Sequence, residues 1–161
     1  MYWLELIHIV RSVSVDRYDK IKERIRNRRI ADYDGENVCK LATDYHRDFK
    51  ELHGAQLYDH TLSITMISQL MKAEGANEDF RSPLRKVKKA LNKKLLEIRH
   101  MNYTSAFRAM KKSDLDVQSI LKVAKEEYRV LKDDGDWKTA LDAKDSKALN
   151  KNYGAVNLAA T

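Results

Sequence analysis

The sequence predicts an all-α, single helical domain of about five to seven helices followed by a disordered polar carboxy-terminal tail. Three observations lead there. Apolar residues recur at spacings of three and four in one window after another, which is the period of a helix face. One Pro and 5 Gly are spread over 161 residues, too little punctuation for the many turns of a sheet. The chain is 43% hydrophobic and 34% charged, a balance that suits amphipathic helices around one core, and its length makes one domain or one domain plus a tail.

Residues 2–13 (YWLELIHIVRSV) read as a first, uncapped apolar helix. Asp16 can cap a second helix over 16–33, with Tyr18, Ile21, Ile25 and Ile30 on its apolar side and Arg17, Lys20, Lys22, Arg24, Arg26, Arg28 and Arg29 around the rest. Asp34-Gly35 is a break. In ENVCKLATDYHRDFKELHG, residues Val38, Leu41, Ala42, Tyr45, Phe49 and Leu52 form a clear stripe that ends at Gly54. Residues 59–73 start from Asp59 as cap and point Leu62, Met66, Ile67 and Leu70 inward, stopping near Gly75. Their β-branched content leaves a strand as the alternative. Ser82-Pro83 reads as the start of the next helix, with Leu84, Val87, Leu91, Leu95 and Ile98 on one stripe. Residues 102–113 form a short helix or a continuation after a kink. Ser113 with Asp116 approximates a capping box for a last helix that buries Val117, Ile120, Leu121, Ala124, Tyr128 and Leu131. Beyond Trp137 no period is sustained.

No residue pattern supplies a catalytic or metal site. Cys39 stands alone, so an internal disulfide and a zinc framework are excluded, and the chain is expected in a reducing cytoplasmic or nuclear compartment. Beside its apolar stripe Cys39 reads as an inert thiol rather than a nucleophile. His8, His46, His53, His60 and His100 offer no metal-ligand spacing; the seven-residue recurrence of His46, His53 and His60 is interrupted at Gly54, and structural histidines are the expectation. Glu126-Glu127 and Asp133-Asp134 are adjacent pairs that do not face each other on a helix. Phosphate-binding loops, dinucleotide turns and nucleophile elbows are missing from the sequence. The expectation is a protein that is not an enzyme, with no cofactor and no small-molecule substrate. The apolar stretch at the start is too short to span a bilayer, so no membrane partner is expected either.

Charge gives the stronger signal. The net charge is +7 with a pI near 9.4, a balance that favours polyanions. Between residues 81 and 94 the candidate nucleic-acid-binding residues Arg81, Arg85, Lys86, Lys88, Lys89, Lys93 and Lys94 occur with no acid among them. On a helix, Arg85, Lys88, Lys89 and Lys93 form a row away from Leu84, Val87 and Leu91. Such a row would bind phosphates without reading bases. The plainer reading is a solvated lysine face whose stems pack on neighbours. Tyr45, Phe49, Tyr128 and the other aromatics mostly fall on core stripes. Tyr2, Trp3, Leu4, Ile7 and Val10 form an apolar patch beyond the core's needs, and they are the candidate self-association surface.

ENVCKLATDYHRDFKELHG, LSITMISQLMKA, VAKEEYRVLKDDGDW, AKDSKA and NYGAVNLA follow one another from Glu36 to Leu158. In that order they resemble the capsid region of the gag-like polyprotein of copia-type LTR retrotransposons of the diatom and algal type. The resemblance implies a helical capsid-like domain over 1–137, its last helix seated by Trp137. It implies a linker over 138–161 leading toward a CCHC zinc knuckle. It also implies a structural function: self-association into particles and packaging of RNA, so the partners would be other copies of the chain and RNA phosphates. Two departures matter. The sequence contains no CCHC knuckle, so that RNA-binding device does not carry over. Its amino-terminal lobe is short for the family, which makes a truncated fragment the expectation. The alternative is a free-standing basic helical module that binds nucleic acid or a protein partner without assembling.

Overall fold

The structure, a computed structural model, describes residues 2–139, without the side chains of Tyr2, Leu6 and residues 8–13. Six helices follow in order: α1 (Tyr2–Asn27), α2 (Val38–Gly54), α3 (Thr61–Leu70), α4 (Glu78–Ile98), α5 (Tyr103–Lys112) and α6 (Val117–Asp133). Two 3₁₀ turns, Ile30–Asp32 and Asp34–Glu36, join α1 to α2. Among the described residues there is no strand, so 59–73 resolves to a helix and not to its strand alternative. The expected tail from 140 onward lies outside the described residues.

The helices close into a ring. α1 packs on α2 and α3, α3 on α4, α4 on α6, and α6 back on α2, while α5 attaches to α4 at one end. One continuous core fills the middle, and the stripes read from the sequence supply it. Ile21, Ile25 and Ile30, the whole α2 stripe, and Leu62, Met66, Ile67, Leu70, Leu84, Leu91 and Ile98 are buried there, together with the whole α6 stripe. Each of the Val, Leu, Ile, Met and Phe side chains among them contributes roughly 1.5–3 kcal/mol by leaving water.

Three Asn residues start helices. The Oδ1 atoms of Asn37, Asn77 and Asn102 accept hydrogen bonds from the amides of Lys40, Phe80 and Ser105 at 3.0, 3.2 and 2.9 Å, each satisfying an amide that the first turn leaves orphaned. Three helices end alike. After α2, α5 and α6 the chain turns through a left-handed residue, namely Gln56, Asp114 and Gly135 (φ 55, 53 and 76). The next amides, those of Leu57, Leu115 and Asp136, reach back to the carbonyls of Leu52, Met110 and Leu131 at 2.8, 3.0 and 2.8 Å, the Schellman pattern.

Four sequence expectations about boundaries are corrected. Residues 2–13 and 16–33 are not two helices: α1 is unbroken from Tyr2 to Asn27. Nothing between them breaks a helix, and Asp16 is an exposed interior residue. The α4 helix starts at Glu78, not at Pro83, because the Asn77 cap and the buried Phe80 fix an earlier start. Pro83 then sits in the second turn, where its missing amide costs one helical hydrogen bond. In α3, Asp59 holds the start through the Thr61 amide (2.8 Å) and hydroxyl (2.7 Å), but the helix stops at Leu70, ahead of Gly75. The last helix begins at Val117, after Asp116; Ser113 belongs to the end of α5, where its hydroxyl donates to the Ala109 carbonyl.

A knot of loop residues locks the ring. Glu36 is buried, and its carboxylate accepts from the amides of Glu74 and Gly75 at 2.9 and 2.8 Å. Trp137 lies over Gly75, donates its indole N–H to the Gly35 carbonyl at 3.3 Å, and meets Phe80 and Tyr128 edge-on. The chain from α6 is thereby fastened to both the α1–α2 and α3–α4 connections. Thr139, the last described residue, is buried.

Candidate nucleic-acid interface

The basic row on α4 is divided by what surrounds it. Arg81 donates to the carbonyls of Met71 and Ala73 at 3.2 and 3.4 Å, tying off the end of α3. Lys88 reaches Ser68 Oγ on α3 at 2.9 Å. Arg85 forks onto Glu78 at 2.7 and 2.8 Å, and its hydrogen bonds hold that carboxyl below the usual range. Lys94 pairs with Glu97 at 2.8 Å. The remaining three, Lys86, Lys89 and Lys93, are exposed. They stand at i, i+3 and i+7, so they form one stripe about 10 Å long on the face opposite Leu84 and Leu91. The expected row of Arg85, Lys88, Lys89 and Lys93 is therefore corrected. Lys88 turns toward α3, and Lys86 joins the free stripe instead.

The arginines of α1 are partly consumed in the fold. Asp48 on α2 is fully buried and takes Arg24 Nη2 and Arg28 Nη2 at 2.7 Å each. Burial pushes its carboxyl up, but the two arginine hydrogen bonds outweigh that and hold it below the ordinary value. Arg28 also lies 5.0 Å from the centre of the Tyr45 ring. Arg17 pairs with Glu51. These pairs make α1 antiparallel to α2, and α2 ends at Gly54. The amino-terminal turns of α1 therefore run past the end of α2. Trp3, Leu4 and Ile7 are 79%, 74% and 49% exposed there, and among the described side chains the first buried one is Ile21. The side chains of Tyr2 and Val10, the rest of the expected patch, lie outside the described residues.

Sequence reasoning missed a second basic surface. Clefts along α2, α5 and the start of α6 adjoin one another. The central one, about 320 Å³, is lined by His46, Lys50, His53, Phe107, Lys111 and Asp116 among others. One neighbour adds Tyr103 and Arg108, the other Lys122 and Lys125. His53 stacks on Phe107 (4.0 Å between centres, 16°) and on Tyr103 (5.7 Å, 20°), and its Nδ1 is 2.7 Å from the Tyr103 hydroxyl. His60 closes the cluster beside Tyr58, and burial lowers its pKa. The signal in the sequence was the i, i+4 pair Tyr103 and Phe107, followed at once by Arg108, Lys111 and Lys112. His46 and His53, seven residues apart on α2, do line one cleft, and His60 arrives after the turn at Gln56.

Among the described residues no group of three His, Cys, Asp or Glu side chains could hold a metal ion. No described helix is long and apolar enough to cross a membrane. The chain matches no family model, no curated protein and no solved structure.

Proposed function

We propose that this chain is a gag-like structural module that self-associates through the amino-terminal turns of α1 and holds RNA by its phosphates. The observation that carries the reading is the extension of α1 beyond α2 with Trp3 and Leu4 more than two-thirds exposed. Large apolar side chains gathered on one projecting helix favour burial against a partner, and a helix carrying its own apolar face can meet a second copy about a two-fold axis. The stripe of Lys86, Lys89 and Lys93 supplies the phosphate contacts. The module needs no cofactor and performs no reaction. Light scattering over a protein concentration series tests the self-association. The chain is expected to gain mass with concentration, and Trp3→Ser with Leu4→Ser and Ile7→Ser is expected to hold it monomeric. A wild-type chain that stays monomeric throughout refutes the assembly.

A second reading has its own observation in favour. Lys86, Lys89 and Lys93 are exposed on one stripe, with Lys93 no more than a charge neighbour of Glu97, which a free-standing nucleic-acid-binding module would use without any assembly. RNA binding by a strictly monomeric chain, lost in the variant that replaces those three lysines with Gln, selects it.

A further inference from the structure

We propose that the cleft between α2 and the α5–α6 turn binds single-stranded RNA by stacking a base on the Phe107–His53–Tyr103 rings while Lys50, Arg108 and Lys111 hold the flanking phosphates. The inference rests on the RNA-binding reading above and gives it a second, base-contacting site.

Three aromatic rings form one wall of the cleft. Tyr103, His53 and Phe107 come from two helices, yet their planes agree within 13–20°. All three are only half-buried, unlike the core rings Tyr45, Phe49 and Phe80, so the stack opens to solvent. Phe107 and His53 line both the central cleft and its neighbour. Parallel π faces at the wall of an open cleft are what a nucleobase adds to, whatever its identity. The stack is also held in place: the Tyr103 hydroxyl fixes His53, the Asn102 cap fixes the first turn of α5, and Ala106 and Met110, beside Tyr103 and Phe107 on the same side of α5, anchor the helix in the core.

Cations surround the stack. Lys50, Arg108 and Lys111 are exposed at the rim, and none of them makes an ion pair among the described residues. Lys125 continues the same sign toward α6. Asp116 is the one carboxylate lining the central cleft; it is buried, at the start of α6, and already accepts the Ser119 hydroxyl at 2.7 Å. A flat aromatic group with phosphates on both sides matches this surface. An acidic peptide would use the cations and leave the rings idle.

Fluorescence anisotropy on the full chain separates these cases, with a short labelled oligoadenylate compared against polyphosphate and polyglutamate. Phe107→Leu is expected to weaken oligoadenylate binding about tenfold and leave polyphosphate binding unchanged. Arg108→Gln with Lys111→Gln is expected to weaken both. Equal oligoadenylate affinity in wild type and Phe107→Leu overturns the proposal, as does polyglutamate binding as tightly as oligoadenylate. Thermal unfolding checks that Phe107→Leu is folded. If it is not, ultraviolet cross-linking of oligoadenylate to the wild-type chain decides: adducts on peptides from α5 or α2 support the cleft, and adducts confined to α4 overturn it. A wild-type chain that binds no polyanion sinks the RNA-binding reading itself. Binding that ignores Phe107 but needs Lys86, Lys89 and Lys93 keeps that reading and removes only this site.

Discussion

Replacing Gly75 with Ala perturbs the knot that closes the ring. A Cβ on Gly75 would stand 2.6 Å from Trp137 Cε2, 2.7 Å from Nε1 and 2.8 Å from Cδ2, well inside van der Waals contact. The indole cannot slide away cheaply, since Gly35, Phe80 and Tyr128 hold it by a hydrogen bond and two edge-on contacts. Nor can the backbone of Gly75 retreat, because its amide is held by Glu36 at 2.8 Å. Overpacking against a flexible neighbour costs about 1–3 kcal/mol, and the rigid ring puts Gly75→Ala near the top, at about 3 kcal/mol. For a domain of this size that lowers the melting temperature by roughly 6–12 °C. Trp137→Ala empties the same space and costs about 3–5 kcal/mol. In the double variant the alanine methyl has no ring to strike. The combined loss is therefore expected to fall short of the sum by about 2 kcal/mol. Urea unfolding followed by far-ultraviolet circular dichroism measures all four corners of the cycle. Trp3→Phe in every corner also lets fluorescence report Trp137 alone where it is present. Strict additivity, or a Gly75→Ala cost below about 0.5 kcal/mol, refutes the claim that Trp137 seals the ring against Gly75.

Other outcomes follow from single features. Asp48→Asn is expected to destabilise the fold by about 3 kcal/mol at neutral pH, the low end for a broken buried pair because Arg24 can turn to water. The folded Asp48 carboxyl sits below its ordinary 3.8. Its contribution is therefore complete above that value and is lost as pH falls through the folded one. The gap between wild type and Asp48→Asn should narrow below about pH 4; a gap of constant width contradicts the assignment. Gln56→Gly and Asp114→Gly should each raise the urea midpoint, by about 0.5 kcal/mol in stability, because glycine takes the left-handed conformation without strain, and Gly135→Ala should cost about 1 kcal/mol. Lys86, Lys89 and Lys93 changed together to Gln should reduce the salt slope of single-stranded RNA binding by about 2; an unchanged slope removes the α4 stripe from the interface.

What was legible in the sequence was periodicity. The α2 and α6 stripes are buried residue for residue, because a period of three and four over seventeen positions leaves one solution. Boundaries were less legible. Pro83 looked like a helix start, yet Asn77 caps one five residues earlier than Pro83's own first-turn position would require, and the buried Phe80 holds it there. The charge on α4 was visible but its availability was not. Whether Lys88 is free depends on Ser68, which a different helix brings to it. The ring stack was hidden for the same reason: Tyr103 and His53 are 50 residues apart, and only the closure of α5 against the end of α2 joins them. Gly75 read as a simple stop, while its role is to leave room for an indole from the far end of the domain.

Sedimentation velocity of the full chain with single-stranded RNA, beside the variant carrying Trp3→Ser, Leu4→Ser and Ile7→Ser, tests the central claim most directly. Wild type is expected to form species larger than one protein bound to RNA, growing with protein concentration. The variant is expected still to bind RNA but to sediment as single protein copies on it. Wild type and variant sedimenting alike, as monomers with RNA and without it, would contradict a self-associating module.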